Sequence, residues 1–252
     1  MQVAVVMRLV PNLSEGVELN EDQTDIEREW ADTQANETDE QALEEALVLK
    51  ETCGAEVTVI ALADEGVERY LRTALAKGAD QVVELETDLE LAQGFSAMST
   101  APMLAGWLKD KGFALILTGN QKVDDAFGGL ASHLAIQLDL PVIAGVTRIA
   151  AQNGLEALQE YGEGRSSWVS FGGAAVLAVQ TASRPIRYVS GSKLREAMAS
   201  AAYAKENLEA ELVEVPGLTL SLPEASGEVE IISDASAGAA RVIALLQERN
   251  LI

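Results

Sequence analysis

The residues whose types and spacing best suit chemistry lie between positions 119 and 129, in the stretch GNQKVDDAFGG. They follow the apolar run ALIL at 114–117, which predicts a buried strand that ends in a turn. We expect Asp124 and Asp125 to cap the helix that follows, because carboxylates accept hydrogen bonds from the free N–H groups of a first turn. A strand tip, a glycine turn and a helix N-terminus form the usual geometry for an anion site, although a tight connection without a ligand explains the spacing equally well.

No other group of residues indicates catalysis or metal binding. The chain has one cysteine, Cys53, and one histidine, His133, which excludes an internal disulfide and a thiolate metal cluster. His133 falls on a predicted helix face, where a structural role is expected, and the adjacent acids of the loop suit a helix cap better than an acid–base pair. Neither a GxGxxG motif nor a Walker loop occurs. We therefore predict no catalytic residue and no metal-binding residue.

Composition and charge restrict the class of protein. The 252 residues are 48% hydrophobic but only 4% aromatic, so a core of Ala, Leu and Val is expected. The net charge of −22 argues against nucleic acid and anionic membranes as partners, and it reflects either a saline habitat or steering toward a basic partner. The apolar runs are too short for a membrane span and no apolar leader follows Met1, so we expect a cytoplasmic protein without membrane insertion.

The elements that must position the loop alternate between strands and helices before Pro141. Such alternation predicts an α/β fold with a mostly parallel, doubly wound sheet and helices on both faces. Ligands of these sheets bind at the carboxyl ends of the strands, where the winding direction switches. Three loops would meet there, at 7–12, 61–66 and 119–129.

The pattern changes after Pro141. Four short strand-like segments separated by glycine turns predict an antiparallel extension of the sheet over 142–182. Residues 1–182 would thus form one nucleotide-binding-like α/β domain that includes this extension.

Residues 183–252 are expected to form a docking segment and a C-terminal arm. An alanine-rich helix is predicted at 194–204 and a closing helix at 236–248, with an extended, proline-containing stretch between them. Because such an arm satisfies few of its own apolar contacts, we expect it to pack on a partner subunit.

Six segments, in order along the chain, resemble the β subunit of electron transfer flavoproteins. They are VAVVMRLVP from 3, NETDEQALEEA from 36, LRTALAKGADQVV from 71, GNQKVDD from 119, PIRYVSGSKLREAMASA from 185 and GAARVIALLQERNLI from 238. Each segment is a weak signal alone, but together they cover essentially the full length. The chain is therefore similar to the smaller subunit of an αβ heterodimer.

The resemblance implies an electron carrier rather than an enzyme. In that family the α subunit holds most of the FAD, and the β subunit packs against it. A reduced dehydrogenase docks on the β subunit and passes electrons to the flavin, which forwards them to a quinone reductase. The expected partners are thus an electron transfer flavoprotein α subunit, a flavin-dependent dehydrogenase and a quinone reductase.

The resemblance also makes AMP a candidate ligand, since the β subunits of the family typically bind it. Carried over by position, the contacts would be Met7, Asn36, Ala63, Gly119, Gln121, Asp125, Gly128, Gly129 and Leu130. The last three stand where the family has an Asn-Gln-Thr phosphate cradle, and Ala63 stands where it has a glycine. Each lost side-chain donor would remove about 1.5–3 kcal/mol, which backbone N–H groups of the glycines could partly replace.

Dehydrogenase docking would fall on Tyr188, Gly191, Lys193 and Leu194 by the same resemblance. Gly191 stands where the family usually carries an exposed leucine anchor. We therefore predict a specialised subunit that serves one dedicated dehydrogenase.

Two other classes of protein share the α/β arrangement. One is an adenine-nucleotide-binding module of the universal-stress type without a redox role, and the other is an adenylate-transfer enzyme. The long segment after Gln180 and the absence of a late glycine-rich phosphate motif disfavour the first. The second would need a Ser/Gly-rich pyrophosphate loop near the N-terminus, and VVMRLVPNLSEG does not supply one.

Overall fold

The computed structural model of the chain describes residues 1–14, 16–27, 32–87, 96–125, 128–152, 154–200, 202–209, 219–222 and 229–252. The helices of these residues are α1 (Glu37–Cys53), α2 (Val67–Lys77), α3 (Ala97–Leu108), α4 (Leu130–Leu138), α5 (Gly191–Met198) and α6 (Ala235–Glu248). The strands are β1 (Gln2–Val6), β2 (Leu9–Pro11), β3 (Thr33–Ala35), β4 (Glu56–Leu62), β5 (Gln81–Glu86), β6 (Leu115–Gly119), β7 (Val142–Ala150), β8 (Leu155–Gly162), β9 (Arg165–Phe171), β10 (Ala175–Val179) and β11 (Tyr203–Asn207).

Nine strands form one sheet in the order β11-β5-β4-β1-β6-β10-β7-β8-β9. The strands from β11 to β7 pair in parallel, and β8 and β9 complete the sheet as antiparallel neighbours. Strands β2 and β3 form a separate antiparallel pair. The predicted α/β fold with a mostly parallel sheet, an antiparallel extension and a closing helix is confirmed.

The core has two layers, one on each face of the sheet. Successive residues of β1 point to opposite faces, as the pleat of a strand requires. Val3 and Val5 pack with residues of α1 and α2, whereas Ala4 and Val6 pack with residues of α3 and α4. Because both faces are covered, the inner strands are buried throughout, which explains their continuous apolar runs.

Strand β10 corrects one sequence-based expectation. It was expected in the antiparallel extension, but it lies between β6 and β7 and pairs with both in parallel. All five residues of β10 are buried, with no apolar–polar alternation. Such a run suits an inner parallel strand covered on both faces better than an antiparallel strand at the rim.

The helix predicted over 194–204 is also wrong in its second half. Helix α5 ends at Met198, and the chain continues as β11, which pairs in parallel with β5 at the edge of the sheet. Side chains of β11 hold it there, because the Tyr203 hydroxyl donates to Glu84 and Lys205 pairs with Glu84 and Glu86 at 3.0 Å. These tertiary bonds override the helix propensity of the alanine-rich sequence.

The chain divides into two compact units, residues 1–220 and 221–252. The first unit contains both sheets and helices α1 to α5, and so includes the start of the predicted docking segment. In the second unit, Asp234 caps α6 by accepting from the N–H of Ala237 at 2.7 Å, and Arg241 pairs with Glu230 at 2.8 Å. None of the described residues of α6 is buried. The predicted functional division at residue 182 stays a prediction.

None of the described helices combines the length and the apolar character needed to cross a membrane.

Candidate functional site

Three of the residues predicted to bind a nucleotide lie at the carboxyl ends of neighbouring strands. Met7 follows β1, Ala63 follows β4, and Gly119 ends β6. The N–H of Met7 donates to the carbonyl of Ile60, so the tips of β1 and β4 are held side by side. The fold therefore brings together the strand tips that the sequence assigned to one site.

Gly119 is the point where the first turn of α1 packs directly on the sheet. Its N–H donates to Asp39 Oδ1 at 2.8 Å. A Cβ atom at this position would lie 2.6 Å from the backbone nitrogen of Asp39 and would also overlap the side chain of Thr38. Only glycine fits such a close backbone approach, which gives a physical reason for the residue type.

An ion pair between Arg8 and Asp39 links the elements that form the site. Arg8 donates to the Asp39 carboxylate through Nε at 2.9 Å and Nη2 at 2.6 Å, and its backbone N–H donates to the same group. Nη2 also donates to the carbonyl of Gly119 at 3.3 Å. Burial opposes the charge of Arg8, but the Asp39 carboxylate outweighs it and holds the pKa of Arg8 above its usual value. The guanidinium is thus a fixed cation that ties β1, α1 and β6 together.

Two further predicted contacts, Asn36 and Gln121, bond to each other. The carbonyl of Gln121 accepts from Asn36 Nδ2 at 2.9 Å and from Thr38 Oγ1 at 2.6 Å. Asn36 is buried at the N-cap of α1, although its side chain makes no capping bond there. These donors therefore hold the loop after β6 against the start of α1.

The remaining predicted contacts surround the start of α4. Gly128 and Gly129 both have positive φ, and Gly129 is the N-cap of α4, which begins at Leu130. Asp125 does not cap this helix as expected. Its carboxylate accepts from the N–H of Ala97 at 2.7 Å, at the start of α3, and from the N–H of Gly128 at 3.1 Å. The loop is thus tied to the neighbouring helix α3.

Lys122 is a member of the site that the sequence reasoning missed. Its ammonium lies 3.0 Å from Asp124 Oδ1, and only 6% and 1% of the two side chains are exposed. The signal was a lysine followed closely by two acids within the loop, but a charged residue in a loop is usually solvated. Here the pair is buried, and removing one partner would leave an uncompensated charge.

The cations nearest this loop are already paired within the chain, and nucleotide binding here stays a prediction. Arg8 is paired with Asp39 and Lys122 with Asp124, so both cations are already engaged. The carboxylates of Asp124 and Asp125 are close enough to Arg8 to contribute to its raised pKa, after the larger effects of burial and Asp39. Among the described residues of the site, three carboxylates therefore lie near two cations.

A second candidate site is the segment that follows β10, which carboxylates of α1 hold in place. Glu45 Oε1 accepts from the N–H of Ile149 at 2.7 Å and Glu45 Oε2 from the N–H of Ser183 at 2.8 Å. Glu44 accepts from Arg187 Nε at 2.9 Å and Nη2 at 2.8 Å. The Glu44 hydrogen bonds hold the pKa of Arg187 above its usual value. Both glutamates are buried, so these roles were not evident from the sequence.

The four residues predicted to dock a dehydrogenase lie together on this segment. The side chain of Tyr188 is 92% exposed. Gly191 begins α5, and Lys193 and Leu194 follow in its first turns, with Lys193 exposed and Leu194 half-buried. The far end of α5 is held by Arg72, whose Nη1 donates to the carbonyls of Ala197 at 3.0 Å and Ser200 at 3.3 Å. Docking itself stays a prediction.

Over the described ranges, no group of three or more His, Cys, Asp and Glu side chains is arranged to hold a metal ion. Cys53 is exposed at the end of α1 as a free thiol. The sites above are therefore held together by hydrogen bonds and ion pairs.

Comparison with known proteins gives consistent matches. The model of the electron transfer flavoprotein domain matches residues 24–211. The electron transfer flavoprotein subunit beta of Bacillus subtilis is 39% identical over 137 residues, which cover 54% of this chain and 52% of that protein. The subunit of the same name from Methylophilus methylotrophus is 28% identical over 202 residues, 78% of this chain and 76% of the relative. The Caffeyl-CoA reductase-Etf complex subunit CarD of Acetobacterium woodii is 31% identical over 154 residues, covering 61% and 58%. The chain thus aligns with about half to three quarters of the length of these relatives.

Proposed function

The chain belongs to the electron transfer flavoprotein family, as a β subunit, and from this membership we propose the electron route in which it takes part. It joins an α subunit in a heterodimer, accepts electrons from a flavin-dependent dehydrogenase and passes them by way of FAD toward a quinone reductase. The observation that carries the proposal is the family match, which covers both the loop 119–129 after β6, called the strand-tip loop below, and the predicted docking residues between 188 and 194.

FAD is proposed to be held mainly by the α subunit. When bound, FAD supplies the group that accepts and releases electrons. The residues of this chain would exclude water from part of the flavin environment and present a docking surface, and no proton or bond transfer is assigned to them. The β subunit is therefore proposed to act as a carrier component rather than as an enzyme.

Exposed apolar side chains in the second unit support the heterodimer. Val242 and Ile243 of α6 are 56% and 50% exposed, and Ile231, which precedes the helix, is 89% exposed. Apolar surface of this kind marks a protein–protein contact. We propose that the α subunit covers it.

The docking partner is proposed to be one dedicated dehydrogenase. The exposed leucine expected at the docking loop is replaced by Gly191, which offers no side chain for a pocket on the partner. Recognition would then depend on the neighbouring side chains, and a dehydrogenase adapted to a leucine anchor would bind poorly.

The test is flavin reduction in the purified αβ complex by a panel of reduced flavin dehydrogenases, followed by absorbance in a stopped-flow instrument. We expect one dehydrogenase to reduce the flavin much faster than the others. Equal rates from several unrelated acyl-CoA dehydrogenases would refute the dedicated partner. No reduction by any of them would refute the proposed route. The universal-stress alternative is not favoured by any contact in the described residues.

A further inference from the structure

A groove lies where the segment 184–193 crosses the C-terminal halves of α1 and α2. It is lined by Glu51, Lys77, Arg184, Arg187, Tyr188 and Lys193, together with Glu44, Ala76 and Pro185. All of these residues belong to the first compact unit. The groove includes two of the four positions at which docking is proposed, Tyr188 and Lys193, and the inference below rests on that proposed function.

The charge of the groove differs from that of the molecule. The chain as a whole has 18 Lys and Arg against 40 Asp and Glu. The lining of the groove reverses this balance, since its four basic side chains outnumber its two carboxylates. Because the protein as a whole is acidic, it repels an acidic partner over most of its surface. The repulsion is weakest where basic groups are in local excess, as they are in this groove.

The basic side chains of the groove have two different tasks. The Lys77 side chain is 7% exposed and pairs with Glu40 at 2.7 Å, and Arg187 is fixed by Glu44 and Glu51 at 2.8 and 2.9 Å. These two hold the groove in shape.

Arg184 and Lys193 are more accessible. Arg184 donates one hydrogen bond, from Nη1 to Glu51 Oε2 at 2.8 Å, and its side chain is 54% exposed. Lys193 is exposed and makes no ion pair with any residue that the structure describes. Their remaining donors point to a partner outside this chain.

Tyr188 supplies an apolar contact beside these cations. Its side chain is 92% exposed although its neighbour Arg187 is firmly held. Tyrosine loses little conformational entropy when it is covered, and its hydroxyl can still form a hydrogen bond, which is why it is common at the centres of interfaces.

We propose that this groove binds an acidic segment of the electron-donating dehydrogenase. Carboxylates of the segment accept hydrogen bonds from Arg184 and Lys193, and an adjacent apolar side chain packs on the ring of Tyr188. The groove replaces the leucine anchor as the recognition element, and charge fixes the orientation in which the partner approaches.

The first test uses a fluorescently labelled peptide of six glutamates, measured by anisotropy on the purified αβ complex at low salt. We expect saturable binding that weakens about tenfold in the double variant Arg184→Glu/Lys193→Glu, because two exposed ion pairs together contribute roughly that factor. The variant Lys109→Glu is the matched control, since Lys109 is an exposed cation at the end of α3, remote in sequence from the groove. A peptide of six glutamines controls for charge. Equal weakening by Lys109→Glu, or no binding at all, would overturn the proposal.

The second test uses flavin reduction by the dehydrogenase that works best with the wild-type complex. Arg184→Glu/Lys193→Glu should raise KM about tenfold with little change in kcat, and added salt should raise the wild-type KM in the same direction. An unchanged KM in the double variant would refute the groove while leaving the electron route intact. If no dehydrogenase reduces the wild-type flavin, the electron route fails, and the peptide measurement alone then decides whether the groove binds acidic chains.

Discussion

At the residue scale, the charged side chains packed against the strand-tip loop already have hydrogen-bond partners within the chain. Asp39 accepts three hydrogen bonds from Arg8 and one from Gly119, and it is fully buried. Burying charges is costly unless each is paired and hydrogen-bonded, and these are. The observed role of the loop is therefore structural, because its hydrogen bonds connect the sheet to α1.

Gly119→Ala should destabilise the protein by about 1–3 kcal/mol, because the added methyl group would overlap the first turn of α1. Urea unfolding of the purified chain measures the change. Gly106→Ala is the matched control, since a Cβ at this exposed helix position meets nothing within 4 Å. The control should gain about 0.5–1 kcal/mol from lower backbone entropy. Equal effects of the two substitutions would contradict the close packing at Gly119.

The engaged cations at the loop lead to an expectation about nucleotide content. We expect acid extraction of the purified αβ complex to release FAD without an equivalent amount of AMP, because Arg8 and Lys122 already bind carboxylates. Chromatography of the extract gives the ratio directly. One AMP per FAD would contradict this expectation and would support the nine predicted nucleotide contacts.

At the element scale, α1 organises the first unit. Its first turn packs on Gly119, its middle glutamates hold the segment after β10, and its last turn reaches the start of β5. In that last contact, Lys50 Nζ donates to Asp80 Oδ1 at 2.6 Å, and Asp80 Oδ2 accepts from the N–H of Val57 at 2.9 Å. Changes at either end of α1 should therefore affect distant parts of the unit.

The Asp80 contact should make stability depend on pH. Burial opposes the ionisation of Asp80, but the hydrogen bonds from Lys50 and Val57 hold its pKa below the usual 3.8. A carboxylate with a lowered folded-state pKa contributes stability above its unfolded pKa and loses it as the pH falls through the folded one.

Asp80→Asn should therefore cost about 1 kcal/mol at pH 6, and the difference from wild type should shrink below about pH 4. Urea midpoints measured across this range test the expectation. A difference that stays constant down to pH 3 would show that ionisation of Asp80 is not the cause.

The position of α5 should depend on Arg72. This side chain binds two carbonyls at the end of α5, and its guanidinium lies 4.5 Å from the centre of the Tyr203 ring. Arg72→Ala should speed amide hydrogen exchange over residues 194–200 several-fold, because those carbonyls lose their donor. Arg69→Ala, on the same helix, is the control, since the Arg69 guanidinium lies 6.0 Å from the centre of the Tyr70 ring and makes no hydrogen bond to α5 among the described residues. Equal exchange in the two variants would contradict the role of Arg72.

The comparison of sequence and structure is most instructive at this scale. Apolar runs such as ALIL predicted their strands correctly, because burial on both faces leaves a continuous pattern. Strand β11 was missed because its sequence, YAKEN, is polar and is stabilised by bonds to Glu84 and Glu86, distant in the chain. The partner of Asp125 was missed for the same reason, since capping α3 requires a contact between residues 28 positions apart.

At the scale of the whole molecule, the chain consists of an α/β unit with a buried core and a second unit whose helix α6 has no buried residue. The first unit carries the strand-tip loop and the basic groove. The second exposes the apolar side chains Val242 and Ile243 of α6. The net charge of −22 contrasts with the basic lining of the groove, which is where we propose that the dehydrogenase docks. Both features fit a subunit of a larger complex.

The most direct test of this account is co-expression of the chain with a candidate α subunit, followed by size exclusion and a visible spectrum of the purified material. The account predicts a 1:1 complex with a yellow flavin spectrum. A chain that stays alone and colourless in the presence of the α subunit would contradict it.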